Sequence, residues 1–485
     1  MMLIGPNYIC PPLHAKPAMV PVGISYLAAV LRQNYEVRLM DSIVEGYAYE
    51  RVTEDGLLVY GLTEEMILKE IENFGPQVVG VGCTFSGMFT LMSSLVQKIK
   101  QTFPEIITVT GGPHTSFLPE DTFHRTPGLD YIILGEGEES FPRLLEAIQK
   151  GKGIEEIDGL AWKDNGSIRV NPKTKFIADL DTIPFPARDL LPMEKYFKIN
   201  VPFLFYSKNP RNLSFITSRG CPFKCRFCSS ANHWGRRIRF RSVENVLAEM
   251  GELVNRFGVK ELKFEDDNLM ANPSRAKAIF RGMIERKFNL KWNMPNGVMI
   301  KALDDDELLH LMKESGCYEV ILAFESGSQY VLDNIIHKPV DLAKAPDITR
   351  KVRDHGIDTL AFFIVGFPGE TKEMIRQTVN YAKNLPLDKI FLWRFNPLPG
   401  TELYEESLAK GLFKQEDLYR ENYVLTGIQI EGMEDRLYWK YFQEAYSASI
   451  IKSFLRAPIR FIKRYYKSFF KLESYRAIWR MRKAL

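Results

Sequence analysis

Residues 218–228 read Ser218-Arg219-Gly220-Cys221-Pro222-Phe223-Lys224-Cys225-Arg226-Phe227-Cys228 and place three cysteines in the order Cys-x3-Cys-x2-Cys. This spacing brings three thiolates onto one short loop, and thiolates bind soft metals and iron–sulfur clusters. A cubane cluster has four irons, so three protein ligands leave one iron open to a different ligand. A structural zinc site normally needs four ligands, and no second cysteine pair lies nearby. The loop therefore predicts a [4Fe–4S] cluster bound by Cys221, Cys225 and Cys228.

The composition is that of a globular protein from a reducing compartment. The 485 residues suffice for two or three domains, and an apolar content of 45% is ordinary for a folded core. Cys10, Cys83 and Cys317 are scattered along the chain, so no disulfide framework is predicted. No signal peptide is recognisable, and no apolar run reaches the roughly 18–20 residues that span a bilayer. We therefore expect a cytoplasmic protein.

Residues 1–150 alternate short apolar strands with amphipathic helices. The predicted strands are Met1–Pro6, Glu36–Ser42, Val78–Ser86, Ile106–Pro113 and Tyr131–Glu138. This alternation is typical of a parallel, doubly wound, Rossmann-like sheet of the α/β class, in which ligands bind beyond the carboxyl ends of the strands.

Small, hydroxylic and polar residues follow these predicted strands. The candidate cofactor-binding residues there are Thr84, Ser86, Gly111, Gly112, His114, Gly135, Glu136 and Gly137. No G-x-G-x-x-G follows the first strand, so a dinucleotide site is only weakly indicated. The residues alone leave open whether the glycines approach a ligand or simply form turns.

Residues 151–430 are predicted to form two further segments. Residues 151–198 contain a hairpin with a turn at Asn165-Gly166 and a proline-rich linker. Residues 199–430 again alternate strands and helices, with Ser242 at an N-cap position and glycines at helix ends. The six predicted strands are Asn212–Arg219, Glu261–Asp267, Lys291–Asn296, Tyr318–Glu325, Asp358–Val365 and Lys389–Asn396. Six βα repeats predict a partial (β/α)6, TIM-like barrel.

Polar residues follow the ends of the predicted barrel strands, where barrel enzymes carry their chemistry. The cysteine loop follows the first strand, and later strands end in an acidic run and in a Gly-Pro-rich turn. The candidate residues at these ends are Glu265, Asp266, Asp267, Glu325, Ser326, Ile364, Gly366 and Asn396. Apolar packing does not explain this convergence, which predicts a binding site at one rim of the barrel.

The cysteine loop, with Phe227 directly before its last cysteine, resembles the signature of the radical S-adenosylmethionine (SAM) enzymes. In that family the open iron binds SAM, and an electron from the cluster cleaves SAM to a 5′-deoxyadenosyl radical. The segments Pro21–Ala29, Gly111–Thr115 and Gly135–Glu138 resemble the cobalamin-binding domain that precedes many radical SAM domains. Residues 1–430 are thus similar to the subgroup that contains cobalamin-dependent methylases of unactivated carbon and the anaerobic magnesium-protoporphyrin monomethyl ester cyclase.

The resemblance implies roles for the rim residues. Phe227, Ile364 and Gly366 would lie against the adenine of SAM, and Glu325 and Ser326 would contact its ribose. The acidic run of Glu265, Asp266 and Asp267 would accept hydrogen bonds from the ammonium group of SAM, although a solvated loop before a helix explains it as well.

The cobalamin-binding resemblance has one departure. Many cobalamin proteins supply a histidine ligand to cobalt through an Asp-x-His-x-x-Gly motif, and residues 5–14 lack it. We therefore expect cobalamin without a histidine axial ligand. His14 and His114 are expected to pack or to form hydrogen bonds rather than to bind cobalt.

The resemblance implies a C-methyltransferase that uses a 5′-deoxyadenosyl radical and methylcobalamin, with an electron donor such as flavodoxin or ferredoxin. The alternative keeps both cofactors but catalyses radical cyclisation, rearrangement or oxidation without methyl transfer. A methylthiotransferase would need three N-terminal cysteines, but only Cys10 and Cys83 precede residue 200. A non-catalytic cobalamin-binding protein would not need an intact cysteine loop.

Residues 431–485 form a basic, aromatic-rich region that is predicted to be helical. From Lys452 to Leu485 there are eleven Lys or Arg residues and one acid, Glu473. Such a segment is typical of peripheral contact with the anionic inner face of a membrane, which would suit a small-molecule or lipid substrate. The alternative is a helical cap on the barrel. Because the rest of the chain is net acidic, we expect no nucleic-acid partner.

Overall fold

The computed structural model describes residues 1–11, 16–54, 56–201, 207–419, 434–459 and 461–462. Their contacts divide the chain into two compact units. The first contains Met1–Pro222, Ser229–Glu261 and a segment that begins at Lys414, and the second contains Phe223–Cys228, Leu262–Phe413 and the C-terminal helix. His14 and most of the basic tail lie outside the described residues.

The first unit is built on a seven-stranded sheet. Its strands and those of a small neighbouring sheet are β1 (Met2–Gly5), β2 (Tyr8–Cys10), β3 (Arg38–Asp41), β4 (Glu50–Val52), β5 (Leu58–Tyr60), β6 (Val78–Gly82), β7 (Ile107–Gly111), β8 (Tyr131–Ile133), β9 (Leu160–Asp164) and β10 (Ser167–Asn171). The large sheet has the order β10-β9-β8-β7-β6-β1-β3, and β2, β5 and β4 form the small antiparallel sheet.

The five strands from β3 to β8 in this order pair in parallel, as the alternating pattern predicts. The order changes direction between β1 and β6, and in doubly wound sheets such a switch point is where ligands bind. The predicted hairpin is present as β9 and β10, and it extends the sheet because β9 pairs antiparallel with β8. All four residues of β1 are buried, which is typical of a strand covered on both faces.

Some helices of the first unit begin at residues whose side chains cap them. The Thr63 hydroxyl accepts a hydrogen bond from the Met66 N–H at the start of one helix, and the predicted N-cap Ser242 accepts one from the Asn245 N–H. The helices are Val22–Leu31, Ser42–Glu45, Glu64–Phe74, Phe89–Thr102, Pro113–Phe117, Pro119–Arg125, Ser140–Lys150, Met193–Ile199, Ser230–Trp234 and Val243–Phe257.

Three short strands follow in the first unit and lead to the cysteine loop. They are β11 (Asn212–Phe215), β12 (Ser218–Arg219) and β13 (Arg239–Phe240). Strands β12 and β13 pair antiparallel, with Arg219 directly opposite Arg239. This two-stranded ribbon encloses the sequence segment that carries all three cysteines of the loop.

The second unit contains β14 (Glu261–Phe264), β15 (Lys291–Val298), β16 (Cys317–Glu325), β17 (Asp358–Val365) and β18 (Lys389–Arg394), side by side in chain order. Strands β15 to β18 pair in parallel, so their carboxyl ends lie along one edge. All six predicted strands of residues 199–430 are therefore present, counting β11. Within the described residues the sheet does not close into a barrel.

The helices that the structure describes in the second unit include Pro273–Glu285, Asp306–Glu314, the π-helical turn Val331–Ile335, Ala345–Asp354, Lys372–Asn384, Glu402–Ala409 and the C-terminal helix Asp435–Arg456. Gly316 and Gly356 follow two of them with φ angles of 108° and 72°, as predicted for residues that end helices. The C-terminal helix is fixed to β18, because the Tyr438 hydroxyl donates to the Leu392 carbonyl over 3.1 Å. In the described part of the chain, no helix combines the length and apolarity needed to cross a membrane.

Candidate active site

The cysteine loop presents its three thiols near the surface. Cys221 and Cys225 are half-buried and Cys228 is exposed. The Cys228 N–H donates to the Cys225 carbonyl over 3.1 Å, which forms a turn between the last two cysteines. Three thiols within eight residues are a donor set that fits an iron–sulfur cluster. By contrast, Cys10, Cys83 and Cys317 are buried, and burial raises the pKa of Cys83 to about 12, which suits a packing role.

A buried lysine lies beside the second half of the loop. The Lys338 ammonium donates to the Glu325 carboxylate over 3.0 Å, and both side chains are less than a tenth exposed. Burial alone would lower the pKa of Lys338, but the negative charges of Glu325, Cys225 and Cys228 outweigh it and raise that pKa. Lys338 therefore brings a fixed positive charge to a place where thiolates gather.

Glu325 and Ser326 end β16, as predicted. Glu325 has a φ of 64°, a conformation that is rare for a residue with a side chain and is often found at functional sites. Ser326 is fully buried, and its hydroxyl lies 3.0 Å from the Thr378 hydroxyl. The Ser326 hydroxyl also accepts a hydrogen bond from the Ser328 N–H over 3.2 Å, so it shapes the turn after β16. The ribose contact of this pair stays a prediction.

Phe227 contacts the loop that follows β17. Its ring centroid lies 5.8 Å from that of Phe367, and the Lys338 ammonium lies 5.9 Å from the Phe227 ring. Phe367 follows Gly366, which has a φ of 90°. The structure thus brings together Phe227, Glu325 and the turn after Gly366, three features that the sequence placed on one rim.

A buried carboxylate supports the turn after β17. Glu370 accepts the Gly366 N–H over 2.6 Å and the Phe367 N–H over 3.2 Å through the same oxygen. Burial raises the pKa of Glu370 to about 7, although both backbone hydrogen bonds act to lower it. Its other oxygen is buried and has no hydrogen-bond partner among the described residues. Glu370 therefore fixes the backbone that carries Gly366.

The acidic run lies at the end of β14. Asp266 is buried, while Glu265 and Asp267 are half-buried, and the Asn296 amide donates to the Glu265 carbonyl over 2.7 Å. A small cavity beside this run is lined in part by Asp266, Asn268, Met294 and Gly297. Ile364 and Asn396 are half-buried at the ends of β17 and β18. Contact of these residues with SAM stays a prediction.

In the first unit, the predicted cofactor-binding residues follow β6 and β7. Thr84 is exposed, and the Ser86 hydroxyl lies 2.9 Å from Nδ1 of His114. His114 is only 3% exposed, and burial lowers its pKa to about 4, so its ring is neutral. Its Nε2 makes no hydrogen bond to a described residue. The hydrogen-bonding role predicted for His114 is therefore observed, and its contact with cobalamin stays a prediction.

Glycines let the backbone pack closely at the same strand ends. Gly112 has a φ of 130°, and a Cβ there would lie 2.3 Å from the Cys83 carbonyl oxygen. At Gly137 a Cβ would meet the Leu27 side chain at 3.0 Å, and at Gly111 it would meet the Ile133 carbonyl at 3.1 Å. The Gly135 N–H donates to the Ser116 hydroxyl over 2.9 Å. Close-packed, largely side-chain-free strand ends at the switch edge fit a large flat cofactor such as cobalamin.

Glu136 has ionic partners that the sequence does not indicate. Its side chain is fully buried, and its carboxylate accepts hydrogen bonds from Arg219 over 3.0 Å and from Arg239 over 2.6 and 2.7 Å. Glu138 accepts a further one from Arg219 over 2.5 Å. The carboxylates of the Gly-Glu-Gly-Glu segment are thus bound to the two arginines of the β12–β13 ribbon.

Sequence reasoning missed the charged partners of the site. Lys338 follows a π-helical turn and stands in no recognisable motif, so the sequence carries no signal for its contact with Glu325. Arg219 and Arg226 lie within residues 218–228, but their positive charges do not indicate which distant carboxylates they meet.

Two family models match the chain. The model of the radical SAM superfamily matches residues 215–382, and the model of the B12 binding domain matches residues 13–145. Cys221, Cys225, Cys228 and the Glu325–Lys338 pair lie within the first range, and the predicted cofactor-binding residues from Thr84 to Gly137 lie within the second.

Related proteins extend over both domains. Cytidylyl-2-hydroxyethylphosphonate methyltransferase of Streptomyces wedmorensis is 33% identical over 447 residues, which cover 86% of this chain and 83% of that protein. An uncharacterized methyltransferase of Pyrococcus horikoshii is 35% identical over 81% of this chain and 79% of its own length. The solved structure of the radical SAM methyltransferase TsrM from Kitasatospora setae, with cobalamin and a [4Fe–4S] cluster bound, has the same fold. Its TM-score is 0.65 at 18% identity, over 84% of this chain and 74% of that one.

Proposed function

The chain belongs to the cobalamin-dependent radical SAM methyltransferases, and we propose that it transfers a methyl group to an unactivated carbon of a small molecule or lipid. The observation that carries the proposal is the three-thiol loop, whose second half lies beside the buried Glu325–Lys338 pair, in a chain that matches a methyltransferase over most of its length. The reaction type follows from the family, and the substrate class is our proposal.

The bound groups supply the hard chemistry: the cluster delivers the electron that cleaves SAM to a carbon radical, and cobalamin carries the methyl group. The chain's own residues hold and orient these groups. Cys221, Cys225 and Cys228 would bind three irons, and the Lys338 charge reduces the cost of bringing thiolates together. Phe227 and the backbone at Gly366 would offer an apolar surface and exposed amides to the adenine, and β14–β18 would serve as a partial barrel.

Methyl transfer is tested with SAM that carries a trideuterated methyl group. The anaerobically reconstituted enzyme is given cobalamin, a reductant and an extract of a strain that lacks this protein. We expect one metabolite or lipid to gain a single labelled methyl, and the Cys225→Ala variant to give none. A product that forms without the label would contradict methyl transfer and support the cyclisation or oxidation alternative, because that chemistry keeps both cofactors but adds no carbon.

We also propose that flavodoxin or ferredoxin supplies the electrons in the cytoplasm. Reduction of the cluster by either protein, followed in the ultraviolet–visible spectrum, tests this. Absence of reduction by both would contradict the proposal if dithionite reduces the same sample.

The end of the C-terminal helix offers an apolar surface for a membrane. The exposed side chains there are Ile451, Phe454, Leu455, Ile459 and Ile462, with exposed fractions of 44 to 73%. Of the 23 residues that follow, 463–485, eight are Lys or Arg and one is acidic. We therefore propose that this surface contacts an anionic bilayer, which suits a lipid or membrane-associated substrate.

Vesicle flotation tests the membrane contact. We expect the enzyme to float with vesicles that contain anionic lipid and not with purely zwitterionic ones, and the double variant Leu455→Ser, Ile459→Ser to stay at the bottom. Equal flotation of the double variant would contradict the proposal.

A further inference from the structure

The β12–β13 ribbon places two arginines directly opposite each other. Arg219 and Arg239 are paired residues of an antiparallel ladder, and like charges in such positions repel. Both residues are 6% exposed, so water does not screen them. The ribbon therefore depends on negative charge supplied from another part of the first unit.

Glu136 supplies that charge to both arginines at once. Its first oxygen accepts from Arg219 over 3.0 Å and from Arg239 over 2.6 Å. Its second oxygen accepts from Arg239 over 2.7 Å and from the Ile177 N–H over 3.0 Å. Every one of these bonds is charge-assisted at the carboxylate, and two of them link the ribbon strands through a single side chain.

Glu138 and two aromatic rings complete the surroundings of Arg219. The Glu138 carboxylate accepts from Arg219 over 2.5 Å. The guanidinium carbon of Arg219 lies 5.3 Å from the Tyr26 ring and 5.1 Å from the Trp234 ring. Arg219 is thus held by carboxylates and by cation–π contacts, with little room for a second position.

A short, closely packed piece of backbone joins Arg219 to Cys221. Only Gly220 separates the two residues, and it has a φ of 94°. A Cβ at Gly220 would lie 3.0 Å from the Arg237 carbonyl oxygen and 3.1 Å from that of Gly235. Because two residues of chain span at most about 7 Å, the place of Arg219 determines the place of Cys221 closely.

We propose that Glu136 and Glu138 are positioning residues for the cysteine loop, acting through Arg219 to hold Cys221 where it can bind iron. The proposal rests on the assignment of Cys221 as a cluster ligand under the proposed function. It gives the acids of the Gly-Glu-Gly-Glu segment a task in the assembly of the cluster, apart from any contact of that segment with cobalamin.

The test measures how fast the thiols of the cluster-free full-length protein react with an alkylating agent. Each variant is treated with iodoacetamide, and the alkylation rates of Cys221 and Cys228 are read from their peptides by mass spectrometry. Glu138→Gln and Arg219→Gln each lose a charge-assisted bond that holds Arg219, so the backbone at Cys221 is held less firmly. We therefore expect the alkylation rate of Cys221 to rise about tenfold relative to that of Cys228. Arg219→Lys keeps the charge and should recover part of the protection.

Arg188→Gln is the matched control. Arg188 is 3% exposed in the same unit and pairs with Glu249 over 2.6 Å. Glu249 also accepts from Arg241, directly after β13, so this buried pair adjoins the ribbon but is not part of the Arg219 ion pairs. We expect this variant to lose as much thermal stability as Arg219→Gln while the Cys221 to Cys228 ratio stays at the wild-type value. A ratio that rises equally in Arg188→Gln, or that stays unchanged in Arg219→Gln, would overturn the proposal.

A second measurement uses the loaded enzyme. After anaerobic reconstitution, Glu138→Gln should keep its cobalamin but show less bound iron and an altered electron paramagnetic resonance signal of the reduced cluster. Wild-type iron content and signal in Glu138→Gln would overturn the proposal. If the wild-type chain itself binds no iron, the proposed function fails, while the alkylation ratios still report on the positioning.

Discussion

Residues 218–228 contain two arginines, Arg219 and Arg226, whose ion pairs differ in burial. Arg219 has a side chain 7% exposed, and its partners Glu136 and Glu138 are 0% and 8% exposed. Arg226 is 21% exposed, and its partners Glu402 and Glu406 are 64% and 25% exposed. Each arginine meets two carboxylates at 2.5 to 3.0 Å, and the two sets differ most in burial; Arg239 also shares Glu136.

Burial changes what is lost when one partner is removed. Removal of one member of a buried pair leaves a charge without water or a partner, whereas an exposed group is rehydrated. The backbone also holds the Arg226 segment, since the Arg226 N–H donates to the Ile336 carbonyl over 3.0 Å. We therefore expect the first half of the cysteine loop to depend more on the buried ion pairs of Arg219 than the second half depends on the exposed ion pairs of Arg226.

Among the variants of the Arg219 and Arg226 ion pairs, Arg219→Gln should lower the free energy of unfolding most. It leaves the Glu138 carboxylate buried without its cation, which costs roughly 3–5 kcal/mol of unfolding free energy. Urea unfolding of the cluster-free protein, followed by circular dichroism, measures this cost. A loss no larger than that of Arg226→Gln would remove the basis of the comparison.

The next largest effect should be the loss of stability in Glu138→Gln, and this loss should depend on pH. Burial raises the pKa of Glu138, but the charge and hydrogen bond of Arg219 outweigh it and hold that pKa below the ordinary value of 4.5. A carboxylate with a lowered folded-state pKa stabilises the fold above pH 4.5 and loses this contribution as the pH falls through the lowered pKa.

The stability difference between wild type and Glu138→Gln should therefore be full at pH 7 and shrink as the pH falls below about 4.5. Urea midpoints across this range measure it. A difference that grows on acidification would contradict the ionised, paired state of Glu138.

Arg226→Gln should have the smallest effect, about 1 kcal/mol or less, and high salt should reduce it further. The same urea titration at low and high sodium chloride measures both. Glu402→Gln is its matched control and should be smaller still, because Glu402 is the more exposed partner. A salt-independent loss as large as that of Arg219→Gln would show that exposure does not govern these pairs.

Local patterns predicted a large part of the molecule. The alternation of apolar strands and helices predicted the parallel order of both sheets, and Ser242, Gly316 and Gly356 cap helices where expected. The spacing of Cys221, Cys225 and Cys228 predicted the cluster loop because close ligand spacing is itself the chemical requirement. These features depend on neighbours in sequence, and so the sequence carries them.

The charged partners could not be predicted, because they depend on distant residues that the fold brings together. Glu136 pairs with Arg219 across 83 sequence positions, and neither segment carries a sequence signal for this contact. Lys338 reaches Glu325 by way of a π-helical turn that has no sequence signature. The hydroxyl of Ser326 is likewise bonded to Thr378, on a helix 52 positions away.

Formation of 5′-deoxyadenosine from SAM by the anaerobically reconstituted, reduced enzyme tests most directly whether this loop holds a working cluster. We expect the nucleoside from the wild-type chain and from Arg226→Gln, markedly less from Arg219→Gln, and none from Cys221→Ala. Wild-type amounts of 5′-deoxyadenosine from Cys221→Ala would contradict the account.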